Sequence, residues 1–484
     1  MSPLRVLSVT AALLGIVTAA SAARADTCTK NRPTDPSPYL GMGFDGVEPL
    51  SWDTPEGGVR VWYTASGEDA PDAVSTLEDG VPDAVVHAGR AAEDALAGYA
   101  AMGFLAPRSD ADHGACASNG GDGRLDIYLV DFPGADGAAP SDVCDTTANA
   151  DQCAGFILVK NAFSGGYADD EEAMKTIVPH ELFHLVQAAY DQAGTESWFA
   201  EGSAQWAAKS IYPELTDLEA FLPGYFSQIN RSIDSPPGGA VASFLYGTAV
   251  WPVYLDTRFG SDTIRAVFEE LAAGDGTVLE ASDKALAARQ QSTIGAELLL
   301  FGAWNAATGD RAGEGGYPDA ADYPMVELLP LGAEVGASAG EVNAKYGMYF
   351  YASYGAPVRT VSLDTDPTRN AALVVPMANG VADVTAAAPL PAVVGGDFIV
   401  VVVGQSDSKK DAPFTVVTSA APPDAGASSS GSGAGGGAGN GAGGGSGADD
   451  DDGGCAVRGA SGPSWAGVPV LLFFLAALAR RRAS

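Results

Sequence analysis

The chain has 484 residues, with 61 acidic and 26 basic side chains and a formal net charge of −35. This charge argues against nucleic acid and against an anionic membrane surface as partners, because both would repel the protein. Roughly 400 residues lie between two unusual ends, which is too many for one ordinary domain. The composition therefore favours a soluble exported protein with more than one domain.

Residues 1–25 have the pattern of a signal peptide. Arg5 supplies a positive charge, residues 6–20 form a mainly apolar run, and two A-x-A cleavage sites follow. The run is too short for a retained membrane helix, and the small residues after it favour cleavage. We expect the mature chain to begin near Ala23 or Asp26 and to be exported.

The central region, residues 26–330, mixes strand and helix patterns. Alternating or continuous apolar residues predict strands over 59–66, 125–132 and 154–161. Apolar residues at helical spacing predict helices over 72–103, 197–210, 247–271 and 281–307. The acidic cluster at 169–172 suits a helix start, where the helix dipole favours negative charge. The sequence therefore predicts an α+β fold for this region.

Five cysteines stand at positions 28, 116, 144, 153 and 455. Export would place the first four where disulfides form. Cys144 and Cys153 are near enough in the chain to close a small loop, which leaves Cys28 to pair with Cys116. Four cysteines allow three connectivities, so this pairing is a preference. Cys455 is left without a partner.

An Asp- and Gly-rich region contains a candidate site for structural Ca²⁺. Its carboxylates are Asp110, Asp112, Asp122 and Asp126. Carboxylate oxygens are ligands that Ca²⁺ prefers, but the spacing is not that of a twelve-residue EF-hand loop. An ordinary polar loop is therefore the alternative.

The string His180-Glu181-Leu182-Phe183-His184 is the strongest chemical signal in the chain. Residues four apart share one face of a helix, so both imidazoles can bind one Zn²⁺, and Glu181 stays free to take a proton from a zinc-bound water. The chain has 4 histidines and half of them lie in this string, so a chance match is rare. Pro179 allows two interpretations: it kinks a helix that starts near Glu171, or it is the first residue of a new helix.

A catalytic zinc site needs a third protein ligand and one open position. The metzincin pattern requires Gly and His where this chain has Gln187 and Tyr190, so that class is excluded. Glu201 stands at the head of an apolar, helical stretch and is the predicted third ligand. Glu196 is the alternative; on one helix the two carboxylates would point about 140° apart, so only one can face the metal. The small residues after Glu201 favour it, because they allow close helix packing.

HELFH followed by WFAEGSAQW resembles the gluzincin peptidases and is similar to the HExxH…WxxEG pattern of the aminopeptidase-N clan. The chain resembles more closely a family of surface metallopeptidases of myxobacteria. This resemblance implies a zincin-like catalytic domain with a small sheet, active-site helices and a helical subdomain. It implies that His180, His184 and Glu201 bind Zn²⁺ and that Glu181 is the general base. The GxMEN string of the clan's exopeptidases is absent, which favours an endopeptidase.

Tyr246, in the string Phe244-Leu245-Tyr246-Gly247, is similar to the tyrosine string of the same clan. The resemblance implies a hydrogen-bond donor for the oxyanion. The clan's YxxG form is lost and the distance from Glu201 is shorter, so a tyrosine of the core or of the cleft wall is the alternative. His87 and His113 have no motif around them and are expected at the surface or with satisfied hydrogen bonds.

The last part of the chain changes character. Short β-type runs predict a small β-sandwich-like domain over 331–420, and a Gly/Ser/Asp-rich linker follows over 421–454. Residues 455–484 contain Cys455, an apolar segment and an arginine cluster. This layout resembles the myxobacterial sorting signal (MYXO-CTERM). It implies processing near Cys455 by a sorting enzyme, with the membrane touched only by this segment.

Together these observations predict a zinc-dependent peptidase that acts on protein or peptide substrates. Its expected place is the cell surface or outer membrane, either anchored or released. The alternative is a surface adhesin or binding protein with a structural or inactive zinc site, which the β-rich region and the long linker would suit. The intact Glu181 favours the peptidase, because a structural zinc site needs no base.

Overall fold

A computed structural model describes residues 31–422 apart from 45, 112–119, 147–149, 164, 239–241, 275 and 406–411. Several predicted features lie outside the described residues: the signal peptide, Cys28, Asp112, His113, Cys116, the linker beyond residue 422, and the sorting segment with Cys455. Within the described part, no helix is long and apolar enough to cross a membrane. Helices and sheets both make up large parts of it, so the predicted α+β class is confirmed.

The first part of the chain forms two small sheets. A five-stranded sheet has the order β1-β2-β3-β7-β4, in which β2, β3 and β7 are parallel and the two edge strands are antiparallel. Its strands are β1 (Leu50–Asp53), β2 (Val59–Tyr63), β3 (Leu125–Val130), β4 (Gly137–Ala138) and β7 (Ile157–Lys160). Strands β5 (Ser141–Thr146) and β6 (Asp151–Gly155) form a separate hairpin. The predicted disulfide between Cys144 and Cys153 joins them and is confirmed.

Helices occupy most of the chain between residues 83 and 306. They are α1 (Asp83–Ala101), α2 (Asp170–Asp191), α3 (Ser197–Ile211), α4 (Asp217–Phe226), α5 (Ala242–Gly247), α6 (Val250–Phe259), α7 (Ser261–Ala273), α8 (Val278–Gln290) and α9 (Ile294–Ala306). Short 3₁₀ helices lie at Tyr39–Gly41, Gly309–Arg311, Ala320–Asp322 and Val384–Ala386.

Four predicted elements differ from the observed ones. The helix predicted from residue 72 begins at Asp83, whose carboxylate accepts from the backbone N–H groups of Thr76 and Leu77 and so holds the preceding segment as a loop. The stretch 247–271 is divided at Gly260, and the stretch 281–307 is divided at Gln291; both residues have positive φ, which ends a helix. The single strand predicted over 154–161 is the end of β6 followed by β7.

Helices α1 and α2 cover one face of the five-stranded sheet. Val61, Ile127 and Val159 point into the core that the sheet shares with these helices. The neighbouring residues Tyr128 and Leu158 point to the opposite face, where they form a second, smaller core. Strand β3 is therefore buried on both faces, as expected of a central parallel strand. This packing fixes α2 against the sheet, next to the edge strand β4.

The C-terminal strands form one continuous eight-stranded sheet. They are β8 (Leu329–Pro330), β9 (Ser338–Asn343), β10 (Met348–Thr365), β11 (Asn370–Ala378), β12 (Val381–Ala382), β13 (Ala388–Pro389), β14 (Ala392–Gly404) and β15 (Ala412–Ala420). The region 331–420, predicted as β-sandwich-like, is thus a single sheet that starts at Leu329, because the long strand β10 pairs with both β14 and β15.

The two faces of this sheet are buried in different ways. One face packs on α9, where Gly302 brings the helix backbone against Val401, and it joins the same core as the helices. The other face encloses its own core, which contains Val361, Val400 and Phe414. The β region is therefore attached to the helical region through a shared apolar core.

A buried ion cluster ties the N-terminal segment to the five-stranded sheet. The guanidinium of Arg32, 1% exposed, donates to Asp110, Asp126 and Asp142 and lies 5.2 Å from the ring centre of Phe156. Burial raises the pKa of Asp126 to about 6, against the opposing attraction of Arg32. The charge of these aspartates is thus partly balanced by the arginine within the protein interior.

Of the four carboxylates of the candidate Ca²⁺ site, Asp112 lies outside the described residues, and the other three have arginine partners. Asp110 and Asp126, two of its four carboxylates, bind the guanidinium of Arg32, and Asp122 binds Arg124 and Arg60. The cations at these positions are therefore arginine side chains: Arg32 and Arg60 are distant from the Asp/Gly-rich region in sequence, and Arg124 belongs to it.

We expect Arg32→Met to destabilise the protein by about 3–5 kcal/mol at pH 7, because it leaves buried carboxylates without their cation. The loss is expected to be smaller at pH 5. A carboxyl group whose pKa is raised by folding binds more protons in the native state, so its contribution to stability falls as the pH rises from about 4 through its folded pKa. Urea unfolding at both pH values measures this. Arg289→Met, which breaks an exposed pair with Glu269, is the control; equal losses at both pH values would contradict the prediction.

Candidate metal centre

Helix α2 carries the HExxH string on a single uninterrupted helix. It begins at the predicted acidic cluster, where the Asp169 carboxylate accepts from the backbone N–H of Glu172. Pro179 lies inside the helix, so it does not begin a new one. The hydroxyl of Tyr99 donates to the carbonyl of Pro179 at 2.8 Å and connects α1 to α2 one residue before His180.

The structure brings His180, His184 and Glu201 together. The Nε2 atoms of the two histidines are 3.2 Å apart, and the Glu201 Oε2 atom is 3.3 Å from His180 Nε2 and 3.5 Å from His184 Nε2. Ligand atoms of a tetrahedral zinc with bonds of 2.0–2.1 Å lie about 3.3–3.4 Å apart. The three side chains are between 8% and 15% exposed, so the site is nearly buried but reachable. Their geometry and donor types fit Zn²⁺.

Glu196 takes a different direction from Glu201. It precedes α3, and its Oε2 accepts from the backbone N–H of Val278 at 3.0 Å, at the start of α8. Glu201 lies in the first part of α3 and faces α2. Of the small residues after Glu201, Gly202 makes room for the segment between α5 and α6 and not for α2, because an added Cβ would lie 2.6 Å from Thr248 Oγ1.

The charge of Glu201 dominates the ionisation of its neighbours. Burial by itself lowers the pKa of His184, but the negative charge of Glu201 and a hydrogen bond to it raise that pKa to about 9. Although burial opposes ionisation of Glu201, the two histidines hold its pKa well below the ordinary value. In the absence of a metal, His184 and Glu201 therefore form an ion pair near neutral pH, and a bound metal would take the place of the proton.

Glu181 lies beside the three candidate ligands without joining them. It is half-buried, and burial raises its pKa, with Glu201 adding to the effect and the two histidines opposing it. The backbone of Gly137 in the edge strand β4 passes very close: a Cβ there would lie 2.9 Å from Glu181 Oε1 and 2.6 Å from Ile177. Glycine at 137 thus leaves room for the Glu181 carboxylate next to the sheet edge.

Tyr246 on α5 also lies at the site. Its ring centre is 5.4 Å from that of His180 and 4.8 Å from that of Phe221. The charge of Glu201 and burial raise the pKa of Tyr246 well above its ordinary value, so the hydroxyl keeps its proton. A neutral hydroxyl beside the three ligands is a hydrogen-bond donor.

Two glutamines contact the histidines and were not predicted as site residues. Gln187 Oε1 lies 3.0 Å from His184 Nδ1, and Gln205 Oε1 lies 3.1 Å from His180 Nδ1. The only sequence signal for them is spacing: Gln187 follows His184 by three residues, and Gln205 follows Glu201 by four, which places each pair on one helix face. Glutamine is common on helices, so this spacing alone does not distinguish them.

Among the residues that the structure describes, His180, His184 and Glu201 form the one group of His, Cys, Asp or Glu side chains close enough to bind a shared metal ion. His87 lies half-buried on α1, outside this group. No family model matches the chain, and no curated protein matches it. The site is therefore interpreted from its own geometry.

Proposed function

We propose that the protein is a zinc-dependent peptidase, with Zn²⁺ held by His180, His184 and Glu201 and with Glu181 as general base. The observation that carries this proposal is the triangle of three ligand atoms, 3.2–3.5 Å apart, with a second carboxylate, that of Glu181, next to it that is not a ligand. A structural zinc site fills all four positions with protein ligands, whereas a catalytic site leaves one open. This set of three ligands with an adjacent base is the catalytic arrangement.

Zn²⁺ bound at this site would supply Lewis acidity toward the substrate carbonyl and toward a water molecule. Glu181 takes one proton from the attacking water as its oxygen forms a bond to the carbonyl carbon. When the C–N bond breaks, Glu181 gives that proton to the leaving amine. A carboxyl group whose pKa is raised by burial suits both transfers, because it holds the proton more readily than an exposed glutamate would.

The edge strand β4 supports a peptide as substrate. It ends the five-stranded sheet beside Glu181, and an extended peptide can add to such an edge through main-chain hydrogen bonds. A peptide in that position would run past the metal site on both sides, which favours an endopeptidase. We also propose that the protein is exported, that it is processed near Cys455, and that it is displayed at the cell surface or released from it.

Metal removal tests the proposed function. We expect the purified mature protein to contain one zinc per chain and to cleave an unfolded protein substrate or a peptide library. A chelator is expected to abolish cleavage, and added Zn²⁺ is expected to restore it. Elemental analysis and mass spectrometry of the products measure both effects. A wild-type protein that binds no zinc would contradict the proposal, and one that binds zinc but cleaves nothing would favour the surface binding protein.

Tyr246→Phe is expected to lower kcat by about 100-fold, because it removes a hydrogen-bond donor for the developing oxyanion. Zinc content and KM are expected to change little, since Tyr246 is not one of the three ligands. Steady-state kinetics with zinc analysis measure this. Tyr225→Phe is the matched control: its hydroxyl is buried in α4 and has no hydrogen-bond partner among the described residues, so its loss should leave kcat unchanged. A wild-type kcat for Tyr246→Phe would assign Tyr246 to the cleft wall alone.

A further inference from the structure

Gln187 connects His184 to the helix that carries Glu201. Its Oε1 lies 3.0 Å from His184 Nδ1, while its Nε2 donates to the carbonyl of Ala200 at 2.8 Å and to Ser203 Oγ at 3.1 Å. Gln187 is 5% exposed, so water does not compete for these bonds. The Gln187 amide therefore connects His184, a candidate metal ligand on α2, to the α3 backbone directly before Glu201.

Gln205 makes the converse connection from α3 to His180. Its Oε1 lies 3.1 Å from His180 Nδ1, and its Nε2 donates to Asp217 Oδ2 at the start of α4. Gln205 is 4% exposed. Burial raises the pKa of the Asp217 carboxyl, and the hydrogen bond from Gln205 and the charge of His180 oppose this effect. The path His180–Gln205–Asp217 therefore runs across three helices.

The surroundings of each glutamine determine which amide atom faces its histidine. The nitrogen of Gln187 must face Ala200, because a carbonyl oxygen only accepts, and the nitrogen of Gln205 must face the Asp217 carboxylate for the same reason. Each amide oxygen is therefore left to accept from a histidine Nδ1–H. A neutral histidine with its proton on Nδ1 has a free lone pair on Nε2. Both Nε2 atoms are the ones directed toward Glu201.

Only an amide meets both demands at these positions. A carboxylate would accept from the histidine but would also face the Ala200 carbonyl or Asp217 without a donor, and an apolar side chain would do neither. Histidine ligands of metals usually give their second N–H to a carboxylate, a backbone carbonyl or water. The amides here add no negative charge beside the two histidines.

We propose that Gln187 and Gln205 are positioning residues that hold the two histidines in the Nδ1–H tautomer and aim both Nε2 atoms at the metal, with Asp217 fixing the amide of Gln205. The inference rests on the proposed function to the extent that the site binds Zn²⁺. It extends the site to three residues that contact neither the metal position nor the substrate.

Zinc affinity of the full mature chain, measured by competition with a chromophoric chelator, tests this role. Gln187→Met and Gln205→Met keep the length of the side chain but remove the acceptor, and each is expected to weaken Zn²⁺ binding about 10- to 100-fold. Gln192→Met is the control. It lies at the end of the same helix, where its Oε1 accepts from Ser141 Oγ at 2.5 Å, and its zinc affinity should match the wild type.

A double variant separates positioning from simple packing. Combining Gln205→Glu with Asp217→Asn exchanges donor and acceptor between the two positions: the carboxylate at 205 still accepts from His180, and the amide at 217 donates to it. We expect the double variant to bind zinc within about threefold of the wild-type affinity, and therefore more tightly than Gln205→Met does. Urea unfolding of each variant shows which changes in affinity occur without a loss of stability.

Three outcomes decide the inference. Wild-type affinity in both Met variants overturns it, and so does a double variant that is stably folded but binds zinc as weakly as Gln205→Met. A wild-type protein that binds no zinc overturns both this inference and the proposed function. A wild-type protein that binds zinc without cleaving peptides contradicts the proposed peptidase function only. In that case the zinc affinities of the variants still decide the role of the two glutamines.

Discussion

Glu181→Gln is expected to lower kcat/KM for peptide hydrolysis by about three orders of magnitude while zinc stays bound. Loss of a positioned general base or acid typically costs 10²–10⁴-fold, and Glu181 is proposed to act in both proton transfers. The change removes the proton acceptor and keeps the size of the side chain. That size matters, because the Glu181 side chain packs against the backbone of Gly137 in the edge strand.

Zinc content and cleavage rate must be measured on the same preparation. Glu171→Gln is the matched control, because Glu171 lies on the same helix but is exposed and pairs with Lys175 four residues later. Its activity and zinc content should equal those of the wild type. A Glu181→Gln variant that cleaves at the wild-type rate would remove Glu181 from the mechanism. A variant that loses its zinc would show that Glu181 supports the metal instead.

Much of the metal centre could be predicted because its parts are local in sequence. The spacing of His180, Glu181 and His184 places all three within one helical turn or so, and Glu201 follows in the next helix of the chain. The direction of two carboxylates on a helix allowed only one of Glu196 and Glu201 to face the metal, and the small residues after Glu201 favoured that residue. The structure brings Glu201 to the histidines. The position of Pro179 inside α2 was one of two alternatives that the sequence left open.

The parts that escaped prediction depend on contacts between distant segments. Gly137 contacts Glu181 because β4 is the edge strand next to α2, an arrangement that no local pattern contains. Asp217 reaches His180 through Gln205, which requires α4 to pack beside α3. Asp110 and Asp126 were candidate Ca²⁺ ligands in the sequence, but both bind the guanidinium of Arg32, which comes from the distant N-terminal segment.

The fold shows the same division. The strands within 331–420 follow from β-branched and apolar runs, and the runs 349–353, 358–363, 372–377 and 398–403 fall inside β10, β11 and β14. Their union into one sheet depends on the length of β10, which pairs with β14 along most of its length and with β15 over its second half. The shared core with α9 depends in turn on Gly302, whose missing side chain makes room for Val401.

Glu201→Ala is expected to lower the affinity for Zn²⁺ by more than about 100-fold, and activity is expected to disappear with the metal. Mutation of residues that only orient metal ligands already costs about 10- to 100-fold, so loss of a ligand itself should exceed this range. The Glu201 carboxylate is also the single negative group within 3.5 Å of both histidine Nε2 atoms among the described residues. Without it, two neutral imidazoles would have to hold a divalent cation alone.

The matched comparison is Glu196→Gln, which changes the rival carboxylate. Its Oε1 can still accept from Val278, and burial already raises the pKa of Glu196, so a neutral side chain should be tolerated there. We therefore expect Glu196→Gln to retain zinc and activity, and the two variants together to separate the candidates by competition binding and elemental analysis. Retention of zinc by Glu201→Ala would remove Glu201 from the ligand set. Loss of zinc from a stably folded Glu196→Gln would return the assignment to Glu196, the residue directly before α3.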